Sequence, residues 1–270
     1  MKRNFVFVVI VVALLSMGVV SAQGNPLVYF VWDAHTGEPI AQLSSDLAIG
    51  DARLNEDGSH IIAALNGGIL RVIATETGEI VSERHLPVES DRYSFPSFVD
   101  VPDPASHVLV VRLYEQFYVW DWEHDAILYQ GDSPYREVVP NYTGSAVLTM
   151  REDPPSVVIY SKFDPQNPLT VSLPDAPLLA RWNHRGTLIG IADYQGFRLI
   201  DAANGATRYE FSDERLGDAY TDVVWSPDDR QIAIQATHSL HYEDSSVIVI
   251  DVEFMRQTVA IRRALQPHEF

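Results

Sequence analysis

"VYFVWDAHTGEPIAQL", residues 28–43, is an apolar run ending at Asp33, a Thr36-Gly37 turn and a second apolar run. Such turns suit Asp, Asn and Gly, which accept φ > 0 or hydrogen-bond their own backbone, so the stretch predicts a β-hairpin. The pattern recurs about every forty residues, a spacing that marks a repeat architecture. Copies stand at "LRVIATETGEIVS" (70–82), "FYVWDWEHDAILY" (117–129), "FRLIDAANGATRY" (197–209) and "VIVIDVEFMRQTVAI" (247–261). "VVIY" (157–160), followed by Ser161-Lys162, is a weaker one.

A second hairpin is interleaved with the first. "ARLNEDGSHIIAAL" (52–65), "VPNYTGSAVLTM" (139–150), "ARWNHRGTLIGIA" (180–192) and "VVWSPDDRQIAIQ" (223–235) each read strand, polar turn, strand. "FVDVPDPASHVLVVR" (98–112) is a longer version with prolines. Many runs, such as "VIVI", are apolar at consecutive positions, which is the mark of a sheet covered on both faces. No segment holds a 3.6-residue period, so helices are not expected. The fold class is therefore all-β, a β-propeller of four-stranded antiparallel blades.

With strands named a to d from the axis outward, the opening hairpin is a c–d pair with no a or b strand before it. Five complete units follow, at 47–87, 93–130, 136–173, 178–212 and 221–261. Only "RRALQPHEF" (262–270) remains as a C-terminal tail, too short to supply the missing strands. The reading is five full blades plus an N-terminal c–d half blade, an incomplete sixth, within a propeller domain over 23–261. Bare strand edges invite pairing. A two-strand blade joined by the tail, β-augmentation by a partner or second copy, or a longer chain would each meet that need.

Residues 1–22 carry Lys2 and Arg3, then a largely apolar stretch ending Val20-Ser21-Ala22. This small-x-small ending predicts a signal peptide cleaved after Ala22, placing the chain in a secreted, periplasmic or extracellular setting. The alternative is an uncleaved N-terminal anchor, since the run approaches the length that spans a bilayer. The net charge of −18 makes nucleic acid or anionic lipid an unfavourable partner. Cysteine is absent, which excludes thiol catalysis, thiolate zinc sites and lipid attachment through Cys.

The Trp-Asp-x-x-Thr-Gly hairpin, with "WSPDD" (225–229) and "NEDG" (55–58), resembles the WD-repeat and TolB-like propeller families. The resemblance covers nearly all of the chain after the leader, as degenerate copies. The Gly-His dipeptide of the strict eukaryotic repeat is absent, and the looser repeat of exported bacterial proteins is the nearer likeness. What the resemblance implies is a scaffold, and scaffolds host many functions.

The d–a and b–c loops open on one side of such a scaffold. Tyr93, Tyr114, Tyr135, Tyr194, Tyr220 and Tyr242 fall in them, with Asp91, Asp132, Glu152, Asp193, Glu214, Asp218 and Glu243. Tyrosine joins contact area to a hydroxyl and is enriched in recognition surfaces. This rim is the candidate surface of a non-enzymatic binding or assembly module for a protein, peptide or glycan. Its tyrosines could equally pack over the blade tops. Trp122, in the c–d turn "WDWEHD" (120–125), is either a contact anchor or a cover for a neighbouring blade's edge.

No cofactor or metal is expected. In "HSLHYED" (238–244), His238 and His241 are three apart and face opposite sides of a strand. Asn141-Tyr142-Thr143 fits a glycosylation acceptor, and also an a–b turn before Gly144. No Gly-x-Ser-x-Gly, phosphate loop or His-Glu-x-x-His occurs. The alternative function is a channel-sited hydrolase or lyase built from dispersed carboxylates.

Overall fold

The computed structural model describes residues 8–11, 27–33, 39–45, 47–86, 96–99, 101–103, 105–133, 137–194, 196–212, 219–238 and 241–263. Among them the apolar runs are strands, and no α-helix is present. The second sheet is β4 (Ile49–Leu54), β5 (His60–Leu65), β6 (Ile69–Ala74) and β7 (Ile80–His85). The third is β8 (Ser97–Val99), β9 (Val108–Leu113), β10 (Gln116–Asp121) and β11 (Ala126–Asp132). The fourth is β12 (Val138–Pro140), β13 (Ala146–Glu152), β14 (Pro155–Ser161) and β15 (Leu169–Ser172). The fifth is β16 (Pro177–Trp182), β17 (Leu188–Asp193), β18 (Phe197–Asp201) and β19 (Thr207–Phe211). The sixth is β20 (Ala219–Trp225), β21 (Gln231–His238), β22 (His241–Asp251) and β23 (Arg256–Arg263). Each of these five sheets is a meander of four strands consecutive in sequence.

The first sheet departs from expectation. Its hairpin, β2 (Leu27–Asp33) and β3 (Pro39–Ser45), gains a third strand, β1 (Val8–Val11). β1 pairs antiparallel with β2, from Val8 opposite Asp33 to Val11 opposite Phe30. β1 lies in the segment read as a leader, and "VVIV" is as apt for a strand as for an apolar leader core. Cleavage after Ala22 would remove it and leave the two-stranded hairpin.

The chain forms two compact units, one of residues 1–98, 111–114 and 120–127, the other of 99–110, 115–119 and 128–270. In the first, Ile61, Ala63, Leu65 and Ile73 form a buried layer, with Leu47, Ile49, Leu54 and Ile69 packed on it. The second holds three layers between successive sheets. Val110, Phe117, Val119 and Tyr129 meet Val147, Val158 and Tyr160. Leu148, Met150, Val157 and Ile159 meet Ile189, Ile191 and Ile200. Phe197 and Leu199 meet Tyr220, Val223, Ile232 and Ile234. Val147 and Leu148 thus serve opposite faces of one strand, as alternation requires, and this is why the run is apolar at consecutive positions.

The backbone keeps the repeat more faithfully than the side chains do. The c–d turns place a left-handed residue at Gly78, Asp125, Gly205 and Met255, with φ of 72°, 49°, 73° and 47°. The a–b turns do so at Gly58, Gly144, Gly186 and Asp229, with φ of 73°, 69°, 67° and 60°. Three of the a–b turns share one hydrogen-bond scheme. Asn55, Asn141 and Asn183 each donate from Nδ2 to a Ser or Thr hydroxyl four residues on, at 3.1, 3.0 and 3.1 Å. Their Oδ1 atoms accept the amides of His60, Ala146 and Leu188. In the fourth turn, the hydroxyl of Ser226 takes the amide of Gln231 instead. A small polar residue that closes its own turn satisfies donors a tight reversal would otherwise strand.

Candidate functional site

Among the described residues, Tyr114 and Tyr194 are the sequence-predicted tyrosines that stand open at b–c turns. Tyr114 follows β9, is 57% exposed and has φ of 54°. Tyr194 follows β17 and is 56% exposed. The turn beneath Tyr194 is built by Asp193, whose Oδ1 accepts the Gly196 amide at 2.8 Å while its amide donates to the Gly196 carbonyl at 3.0 Å. A Cβ at position 196 would collide with the Phe211 carbonyl oxygen, so only glycine fits. Asp193 is thus buried in the turn and paired with Arg198, a structural acid where the sequence suggested a surface one. Asp132 and Glu152 are exposed.

Two expected surface aromatics are not on the surface. Tyr220 is 1% exposed and sits in the layer with Phe197, Leu199 and Ile234. β20 starts at Ala219, one residue before it, and the register shift between Tyr220 and Asp222 turns both Tyr220 and Val223 inward despite their odd separation. Trp122 is 9% exposed, with its indole 5.9 Å from the His60 ring, so most of it is packed away from solvent. Tyr93, Tyr135, Asp91, Glu214 and Asp218 lie outside the described residues. Tyr242 and Glu243 lie in β22, as does His241, and His238 ends β21; the side chains of all four are outside the described set. Among the described residues no three of His, Asp or Glu converge to hold a metal ion.

The opposite, a–b end of the sheets carries residues that the sequence reading passed over. Asp229 occupies the glycine slot of its turn and is buried. Its Oδ1 accepts the His184 amide at 2.9 Å and His184 Nδ1 at 2.8 Å. Its Oδ2 accepts the Arg185 amide at 3.0 Å and Asn183 Nδ2 at 3.2 Å. One carboxylate thus clasps the a–b turn of the fifth sheet to that of the sixth. Burial alone would raise its pKa, and the His184 and Arg185 hydrogen bonds outweigh it, holding the carboxyl below the ordinary Asp value.

The strands next to these turns repeat the link. Trp182 Nε1 donates to the Val139 carbonyl at 2.9 Å, and Trp225 Nε1 to the Arg181 carbonyl at 3.3 Å. Asn141 is buried beside Gly186 and bonds Ser145 and Ala146 of its own turn, which fits the a–b turn reading of Asn141-Tyr142-Thr143. Phe163 and Phe254 stand exposed in c–d turns, each with a cation over its ring, Lys162 at 5.2 Å and Arg256 at 4.9 Å. Nothing in the repeat pattern distinguishes these two from other turn residues.

No family model matches the chain. No curated protein matches it either. Among solved structures it is similar to a WD40 β-propeller chain in the crystal structure of the mitotic checkpoint complex. That likeness has a TM-score of 0.52 at 18% identity and covers 87% of this chain and 72% of that one. The class is therefore a β-propeller with a WD-repeat-like fold. At this identity the likeness speaks to the scaffold alone.

Proposed function

We propose that this chain is a non-enzymatic binding or assembly module of the exported, TolB-like kind. It acts outside the cytoplasm after loss of residues 1–22. Its ring has five full blades and an incomplete sixth made by β2 and β3. The working surface is the b–c and d–a rim, and its partner is a protein, peptide or glycan. The single observation that carries the reading is Tyr114. A bulky aromatic in the left-handed region costs about 1 kcal/mol or more, and a turn chosen for stability alone would use Gly or Asn there. Its ring is nevertheless 57% exposed, so burial does not explain the choice. Outliers of this sort cluster where a side chain is held for recognition. That the similar solved chain belongs to a protein assembly agrees with a binding role.

The test is a photo-crosslinking amino acid placed in turn at positions 114, 194 and 163 in cells that make the full chain. Covalent adducts from 114 and 194, with none from 163 in the opposite turns, are expected. Equal labelling from all three positions would overturn the assignment of the rim.

A further inference from the structure

Arginines in this acidic chain are paired almost wherever they are described. Arg71 meets Glu83 at 2.6 Å, Arg181 meets Glu137 at 2.7 Å and Arg208 meets Asp201 at 2.7 Å. Arg151 is different. It lies near the end of β13 opposite Ser156 of β14, is half-buried, and its Nε is closed to solvent with no hydrogen-bond partner. Among the described side chains it is the one arginine with no ion pair, hydrogen bond or ring contact. Two residues back on the same face, Thr149 is fully buried with its hydroxyl also unsatisfied. The exposed Glu152 points to the other face of the strand and Asp153 lies in the turn beyond. Neither takes up the charge.

A guanidinium kept partly out of water without a partner is destabilising, because the lost hydration is not replaced. An apolar side chain of similar length would fill the same layer at lower cost. A cation placed there at a cost in stability points to a ligand that completes it. We propose that Arg151 anchors a carboxylate-binding site at the b–c end of the fourth sheet, taking a small organic acid. With Nε sealed, the open approach is end-on through the two Nη groups, whose fork matches the two oxygens of a planar carboxylate. A singly charged group suits this site better than phosphate does, since a net charge of −18 penalises each further negative charge brought to the surface. The site does not rest on the tyrosine rim and stands if that reading fails.

Thermal unfolding of the full chain at constant ionic strength tests it, with sodium acetate as probe and chloride and inorganic phosphate as references. Acetate at ten times its Kd is expected to raise the Tm by roughly 3–5 °C. Arg151→Met is expected to raise the Tm in chloride and to abolish the acetate shift. Line broadening of 13C-labelled acetate, lost in the same variant, reports binding independently of stability. An acetate effect that survives in Arg151→Met, or none in the wild type, overturns the site. An equal effect of phosphate overturns the carboxylate assignment.

Discussion

Two turns at one end of the sixth sheet make the same departure from the repeat for different reasons. Asp229 and Met255 both stand in the left-handed region, at φ of 60° and 47°, where Gly58, Gly144 and Gly186 hold the other a–b turns and Gly78 and Gly205 two of the c–d turns. Around Asp229, four donors from the fifth sheet's turn converge on one buried carboxylate. Met255 has only its partly buried side chain, packed on the layer of Phe197 and Ile232. One strained residue is compensated by a polar clasp between sheets and the other by apolar contact alone. A lost glycine in a degenerate repeat therefore carries no fixed meaning until its neighbours are known.

The contrast can be broken most sharply at position 229. Asp229→Ala keeps the backbone strain and strands the turn donors, so it should lower stability by about 3 kcal/mol in chemical denaturation. Asp229→Gly removes strain along with the clasp, and its loss should be smaller, about 2 kcal/mol. The difference between these two variants isolates the strain at roughly 1 kcal/mol.

Acid titration comes next in size. The Asp229 carboxyl is depressed in the fold, so its contribution is fully present above the unfolded value of about 3.9 and fades as pH falls through the lower folded value. The stability gap between wild type and Asp229→Asn should therefore be flat from neutral pH to about 4 and close below it. A gap that persists unchanged at pH 2 would mean that ionisation is not what the clasp uses.

The smallest effect belongs to Met255. Met255→Gly relieves about 1 kcal/mol of strain and gives up a similar amount of apolar packing, so stability should change by less than about 0.5 kcal/mol. Met255→Ala, which keeps the strain and loses the packing, should be destabilised by about 1 kcal/mol. If Met255→Gly proved as damaging as Asp229→Gly, the two turns would not differ in the way their surroundings indicate.

Blade boundaries were legible because apolar runs and polar turns are local signals. The unit read as 178–212 corresponds to strands running from Pro177 to Phe211, and that read as 136–173 to strands from Val138 to Ser172. What failed depended on neighbours distant in sequence or on backbone irregularity. Tyr220 was misplaced because a bulge reverses which face a residue takes, and bulges leave no mark in hydropathy. Trp122 was ambiguous until His60 was seen beside it. The glycine slot filled by Asp229 was visible within "WSPDD", but its acceptor role needs a turn some forty-five residues earlier. Arg151 reads as an ordinary strand-end cation, and only the absence of a partner in three dimensions sets it apart. β1 was hidden because strand-forming and leader-forming runs have the same composition.

Every sheet is drawn from one contiguous piece of chain, and among the described residues no strand from the last piece pairs with the first. The described strands of each piece hydrogen-bond to one another and to no other sheet. Stretched by its termini, the chain should give way in a staircase of separate extensions, each releasing some forty residues, with the outermost pieces peeling before the interior ones.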